Sequence, residues 1–347
     1  MLTSKLIKRN KNNNTLGLSG MSESLTETLH SLDLFDNNQH SVKLAAAIPV
    51  GTDREAEEIY KLALKYGVSV FVPTVHGTAV NTRTAYNADG LVPHKVVTFD
   101  DSGDEKHNFV KFYDKVIKIE CDGPIFDHVK DKVIIVDHHR PGDPGYETPP
   151  SEYWLGSSIG QFVQVLGKYR EEYMTEDFLY VETVDNNKFW FPKPHNGHLL
   201  YIAAADHNLY AAYAGLCPGI IPANMLMFRL NEKAQFTGKS LEELVQQFIN
   251  AMDIIMKHYD KTKGYSDLTK LGPVQIPELN EAAAYMGAPF MAQLTDKDGK
   301  LKVVFQGANE ELIVKFMNKE LVPGLVKTYG SPKRGYAGGY YEEEVEE

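Results

Sequence analysis

The feature that most constrains this chain is a series of short, nearly continuous apolar runs separated by helical stretches. From Lys43, the run LAAAIPV is followed by a helix over about Asp53 to Tyr66, closed by Gly67, and then by VSVFVPTV. Strand, amphipathic helix and strand in that order are the signature of a β-α-β unit. The helix shows a capping box, Thr52 with Glu55, and an apolar stripe through Ile59, Leu62 and Ala63. Further runs follow at Lys115–Ile119 (KVIKI), Lys132–Val136 (KVIIV) and Leu199–Ala204 (LLYIAA). A strand with one wet face would alternate. Unbroken apolar runs are what a parallel sheet covered on both faces requires. The expected fold class is α/β, with a mainly parallel sheet flanked by helices and a second, smaller α/β domain behind it.

That domain division comes from composition and capping. Residues 1–40 are rich in Asn, Ser, Lys and Thr, with one amphipathic stretch through Leu25, Leu29, Leu32 and Phe35. They are expected to form a mobile arm, with docking to a protein partner as the alternative. Residues 41–260 make the first domain, which includes a helix opened by a capping box of Ser240 with Glu243. The Gly- and Pro-containing stretch 261–277 reads as a linker, 278–341 as the smaller domain, and the glutamate-rich 342–347 as a solvated tail.

The 347 residues carry a formal net charge of -11, which argues against a surface built to neutralise duplex DNA. Small phosphate-containing substrates stay open, as does short single-stranded nucleic acid, if a local metal or Arg/Lys cluster overrides the global field. Cys121 and Cys217 are too few for a disulfide framework or a thiolate zinc site. No apolar run is long enough to span a bilayer, and the N-terminus lacks the apolar core of a secretory signal. The expected location is therefore cytoplasmic, with no membrane partner; homo-oligomerisation is left open.

In open parallel sheets, ligands bind beyond the carboxyl ends of the strands. Three apolar runs end in chemistry-bearing residues: VIKIECD in Asp122, VIIVDHH in Asp137, His138 and His139, and YIAAADHN in Asp206 and His207. Carboxylates and imidazoles together are the ligand set of Mn2+ and similar divalent ions. Such ions suit phosphoryl transfer because they can clamp the attacking and leaving oxygens. A single histidine or aspartate after a strand is more often a hydrogen-bonded loop residue or helix cap. Recurrence at three run ends favours a metal site.

These strings, with Asp122 fifteen residues before Asp137 and Asp206 following at a distance, resemble the DHH phosphoesterase superfamily. The resemblance implies metal ligands at Asp122, His138 and Asp206, a phosphate-facing His139, and an orienting Asp137, with Mn2+ or Mg2+ as cofactor, one or two ions. The family's first motif would fall on residues 49–56, where Asp53 matches, Glu55 replaces an aspartate and Pro49 stands in place of a histidine, which makes Asp53 and Glu55 further implied metal ligands, with a helix-cap role for Glu55 as the alternative. His76 is a candidate replacement ligand, with a plain loop role as the alternative. A substrate loop is implied at Gly330–Gly339, where Lys333, Arg334, Gly338 and Gly339 would meet phosphate, although the family's histidine is missing there.

Two further stretches are candidates for the cleft wall. Arg140, in the turn after the histidines, is a candidate for a leaving phosphate, and Ser157–Gln161 opens a helix whose amides favour anions. Asn81, Arg83, Tyr86 and Asp89 form a polar patch without an assigned role. The expected activity is divalent-metal-dependent hydrolysis of a small phosphodiester or phosphoanhydride, such as a short oligonucleotide, cyclic dinucleotide or similar nucleotide, with catalytic residues Asp137, His138 and His139. The competing expectations are a DHH-fold binding or scaffold protein whose metal chemistry has lapsed, and an unrelated α/β enzyme.

Overall fold

Alternate residues of the first strand, β1 (Leu44–Ala47), enter two different apolar cores, which places β1 in the middle of a sheet buried on both faces. Leu44 and Ala46 pack with α1 (Arg54–Lys65), while Ala45 and Ala47 pack with Phe71 and Val116 on the other side. This is a computed structural model, and it describes residues 42–49, 53–81, 84–94, 112–182, 188–273, 275–296 and 299–341. The N-terminal arm, Thr52, Arg83 and the acidic tail lie outside the described residues.

The sheet continues with β2 (Ser69–Val75), β3 (Thr78–Ala79), β4 (Gly90–Pro93), β5 (Lys115–Ile119) and β6 (Val133–Val136). Its order is β3-β2-β1-β5-β6, with β4 also paired to β2. The four central strands β2, β1, β5 and β6 are parallel. The short β3 and β4 run antiparallel to β2. One face is covered by α1 and by α2 (Ser158–Met174), whose Ile159, Phe162, Val163 and Leu166 are buried. After α2 come the hairpin β7 (Phe178–Glu182) and β8 (Lys188–Pro192), then α3 (His198–Tyr213), α4 (Pro222–Thr237) and α5 (Leu241–Lys257).

Two local expectations need correction. The run LLYIAA, expected as a strand, lies in helix α3. An unbroken apolar run cannot be assigned by periodicity when the element is buried nearly all round, and Leu199, Ile202, Ala203 and Ala204 are all buried. The cap of α1 is Asp53, which accepts from the Ala56 amide at 2.8 Å, so Glu55 is not the partner of a box at Thr52. The Ser240 and Glu243 box on α5 is present as read.

The second sheet contains β9 (Tyr259–Asp260), β10 (Tyr265–Asp267), β11 (Phe290–Thr295), β12 (Leu301–Gln306), β13 (Leu325–Ser331) and β14 (Tyr336–Tyr341), in the order β13-β14-β12-β11-β10-β9. Helix α6 (Leu279–Met286) packs with α5 on one face, and α7 (Glu310–Met317) on the other. The stretch 261–277, expected as a linker, contributes β10 to this sheet. Its glycine is a turn residue: Gly264 (φ 78) closes the β9–β10 hairpin by donating to the Asp260 carbonyl at 2.8 Å. Tight hairpins and linkers draw on the same residue types, so composition does not separate them. Among the described residues no helix is long and apolar enough to cross a membrane.

Candidate metal centre

The loop after β6 is built around one buried carboxylate. Asp137 Oδ1 accepts from the amides of His138 (2.7 Å) and His139 (3.1 Å) and lies 3.0 Å from His139 Nδ1, while Oδ2 accepts from the Tyr86 hydroxyl at 2.9 Å. Gln161, in the first turn of α2, fixes the same residue from the other side. Its amide donates to the Asp137 carbonyl at 3.1 Å and its oxygen accepts from the Asp137 N–H at 3.2 Å. Gly145 also donates to that carbonyl, at 3.0 Å. A side chain at Gly145 would collide with the Gly156 carbonyl, Gln161 and His138, so the loop closes only over glycine.

These bonds set charge as well as position. Burial opposes ionisation of Asp137, but bonds from His139 and Tyr86 hold its carboxyl below the usual range. Burial likewise opposes the His139 cation, yet the bond to Asp137 and the charges of Glu120 and Asp206 raise it to about 9. The Tyr86 phenol is pushed up by burial and by Asp137.

His138 turns the other way, into the protein, and its side chain is fully buried. Its Nε2 lies 2.9 Å from Asp206 Oδ2 and 3.7 Å from Glu120 Oε1. Glu55, projecting from the first turn of α1, completes a group of four whose ligand atoms all lie within 4.8 Å of one another. Glu120, His138 and His139 form a second group that overlaps the first. Five buried atoms of the larger group lack a hydrogen-bond partner: Glu55 Oε2, Glu120 Oε1, both ring nitrogens of His138, and Asp206 Oδ2. The contact between His138 and Asp206 is thus a close approach without hydrogen-bond geometry. Buried polar atoms are seldom left unpaired. Five in one place, on four residues that are all oxygen or imidazole donors, fit a divalent cation.

The carboxyls respond to this crowding in opposite directions. Glu55 is pushed well above the carboxylate range by burial and by Asp206 and Glu120, although the Ile159 amide donates to its Oε1 at 2.9 Å. Burial, with the Asp206 charge, raises Glu120 to about 7 against the pull of His139 and His138. Asp206, despite burial, is held far below the usual range by His138 and His139. In the metal-free protein, protons on the glutamates relieve the crowding of negative charge. Glu120 also has a left-handed backbone (φ 47), which is costly for a residue with a side chain and clusters at functional sites. The Asp206 side chain keeps 29% exposure and His139 40%, so the centre opens to solvent on their side.

Not every candidate residue joins this centre. Asp122 stands outside it: its carboxylate pairs with Lys118 at 2.8 Å, bonds the Gly123 amide at 2.9 Å, and is 47% exposed. Glu120, two residues earlier, lies within the group instead. Asp53 caps α1, and its charge is felt at Glu120. His76 is an exposed turn residue paired with Asp89 at 3.0 Å. Burial and the charges of Arg334 and His138 lower the imidazole of His207 to about 4, and its Nε2 lies 2.8 Å from the Thr148 carbonyl. Arg140 is exposed and stacks 3.1 Å over the centre of the Tyr86 ring. At the start of α2 the Ile159 amide donates to a protein carboxylate, Glu55, and the Gly160 amide to the Ser157 hydroxyl.

The Gly330–Gly339 stretch is a β-hairpin. Gly338 and Gly339 sit inside β14, paired with Val304 and Val303, with their α-carbons against Tyr329 and Leu325. They are positions of close packing, without a free amide loop for an anion. Lys333 and Arg334 occupy the turn between β13 and β14. Lys333 pairs with Glu147 at 2.6 Å. The Arg334 guanidinium donates to the main-chain carbonyls of Asp206 (3.0 Å) and His138 (3.4 Å). The kink of α3 at Asn208 (φ -163, ψ 93) falls just after Asp206, and carbonyls next to a helix break need outside donors.

No family model matches the sequence, and no curated protein matches it. In structural comparison the chain is similar to RecJ from Thermus thermophilus, solved in complex with Mn2+, at 12% identity and a TM-score of 0.37. The match covers 92% of this chain and 52% of that one, so the chain spans about half the length of the RecJ protein.

Proposed function

We propose that this protein is a divalent-metal-dependent phosphoesterase acting on a small phosphodiester or phosphoanhydride. The observation that carries the reading is the convergence of Glu55, Glu120, His138 and Asp206, four donors from four separate elements, with a buried, unpartnered atom on each. These four residues would hold the ion, Mn2+ or Mg2+. Bound there, the cation would supply Lewis acidity toward a phosphoryl oxygen and neutralise the charge that develops on it.

The rest of the work falls to the protein's own groups. Asp137 fixes the His139 ring through Nδ1, which leaves Nε2 free to donate to a phosphate oxygen at the open side of the centre. Arg140, stacked on Tyr86, adds a second positive group on the same loop. The protons held on Glu55 and Glu120 leave as the cation arrives, so binding should release protons and strengthen as pH rises.

The direct test measures hydrolysis of short oligonucleotides, cyclic dinucleotides and pyrophosphate with Mn2+, beside a His138→Ala, Asp206→Ala double variant. The expected result is turnover of at least one substrate class by the wild type and none by the variant. Equal inactivity of the two proteins, with no Mn2+ retained in equilibrium dialysis, would sink the reading.

A further inference from the structure

The second sheet carries a strip of side chains that the proposed hydrolysis leaves unused. In β12, β14 and β13, Val303, Phe305, Ala337 and Leu325 point into the core under α7. Strand alternation and register then put Lys302, Gly338, Tyr340, Lys327 and Tyr329 on the opposite face. Helices α5 and α6 cover that face over β11, packing on Phe290 and Ala292. Beyond them, Lys327 and Tyr329 are exposed.

The strip begins at the metal centre. Its near end is the pair Ser331 and Tyr336, flanking the turn from which Arg334 reaches the Asp206 and His138 carbonyls. Ser331 Oγ is buried there without a hydrogen-bond partner. Two residues along, about 7 Å at the usual strand rise, the Tyr329 ring lies across Gly338, so close that any side chain at that glycine would collide with it. Two residues further, about 13 Å from the start, Tyr340 stands between Lys302 and Lys327 in register. The Tyr329 and Tyr340 rings are 6.3 Å apart and inclined by 34°.

We propose that this strip is a base-stacking subsite that leads a single-stranded oligonucleotide into the centre. Two tyrosines over a glycine floor offer flat π-surfaces that accept any base, and the flanking lysines supply local positive charge for the backbone. In a chain whose net charge is -11, that pairing of aromatic and basic groups is complementary to a strand carrying bases and phosphates. The inference rests on the phosphoesterase reading for what happens at the centre, but the strip itself is testable without turnover.

Calorimetric titrations of the whole chain in chelator would compare a short oligothymidylate with an abasic strand of equal length. The wild type should bind the base-bearing strand more tightly. Tyr329→Ala and Tyr340→Ala should each weaken that binding about 5- to 100-fold and leave the abasic strand unaffected, while Tyr329→Phe and Tyr340→Phe should stay within about twofold of wild type, because the stacking face is kept. Unchanged melting temperatures would show that the substitutions at exposed Tyr329 and half-buried Tyr340 leave the fold intact. No binding of oligothymidylate, equal affinity for the two strands, or wild-type affinity in both alanine variants would overturn the proposal. Turnover with Mn2+ separates it from the broader reading. Base-dependent binding without hydrolysis keeps the strip and removes the phosphoesterase, whereas hydrolysis indifferent to bases does the reverse.

Discussion

Replacing Glu120 by Gln should stabilise the metal-free protein at alkaline pH and abolish its response to a divalent cation. Burial, only partly offset by His139, raises the Glu120 carboxyl from 4.5 to about 7. The folded state therefore keeps a proton that the unfolded chain has already released. Stability falls as pH rises from about 4.5 to about 7 and stays low above that. At about 1.4 kcal/mol per pH unit, that interval comes to on the order of 3 kcal/mol. Glutamine has the same shape and no charge to bury, so Glu120→Gln should escape the loss. In a calorimetric scan with chelator the two proteins should melt together near pH 5 and differ by roughly 6 °C at pH 8, at roughly 2 °C per kcal/mol for a large domain. Because Glu120 is coupled to Glu55 and Asp206, the difference reports the cluster more than one residue. Mn2+ at about a thousand times its dissociation constant adds about 4.1 kcal/mol to whichever protein binds it. That exceeds the charge penalty, so the order of stability should reverse in favour of the wild type. Parallel pH profiles in chelator, or an equal rise of both melting temperatures with Mn2+, would refute the reasoning.

Asp137→Asn should lower the His139 midpoint from about 9 toward 6.5, followed by the ring proton shift in NMR with chelator present; an unmoved midpoint contradicts the assigned pair. The raised His139 value stabilises the fold fully below pH 6.5 and ceases to do so as pH rises through about 9, and the variant should lose that contribution. Asp122→Ala should change Mn2+ affinity by less than about twofold and stability by less than about 0.5 kcal/mol, since its carboxylate is half-exposed and paired outside the centre. Arg334→Ala should cost about 1–3 kcal/mol in urea unfolding and weaken Mn2+ binding, with Arg334→Lys a partial rescue, because one ammonium cannot span both carbonyls. Gly145→Ala should cost about 1–3 kcal/mol through overpacking against Gly156 and His138, and wild-type unfolding would show that the loop can relax.

The parallel sheet was legible because a strand buried on both faces has little room for a polar residue: LAAAI has none, KVIKI admits inside the run only Lys118, whose ammonium reaches Asp122, and KVIIV stays apolar after its first residue although it is the edge strand and leaves Ile135 exposed. The centre was legible in part for the same reason, since Asp137 and His138 follow such a run directly. Glu120 was hidden by backbone geometry. Val116 and Cys121 lie on one face of the sheet and Ile117 and Ile119 on the other, so strict alternation would place Cys121 with Ile117 and Ile119. The left-handed turn at Glu120 shifts the phase by one residue and sends its own side chain to the helix-covered face. No composition or spacing rule announces a positive φ at a glutamate. The available signal was that Glu120 is the first carboxylate after KVIKI. Asp206 was singled out as the residue after a strand, whereas its apolar run is helical and it stands two residues before the kink at Asn208.

What separates a cation site from an ordinary buried polar network is how the other buried acids of this chain are balanced. Glu58 meets Lys61 at 2.7 Å and Arg54 at 2.9 Å, and Asp177 meets Lys65 at 2.5 Å together with Tyr66 and Asn196. Glu278 meets Lys233 at 2.5 Å, and Glu281 meets Arg229 at 2.8 Å and the Tyr213 hydroxyl. In each case a permanent cation was placed where a carboxylate was buried, as the cost of burying an unpaired charge demands. Among the described residues, no lysine or arginine is paired with the carboxylates of Glu55, Glu120 or Asp206. Arg334 comes near enough to bond the Asp206 main chain, yet its guanidinium is spent on two carbonyls. A fold that neutralises its other buried acids with its own side chains, and leaves three together with only imidazoles, has the charge balance that the proposed cation site requires.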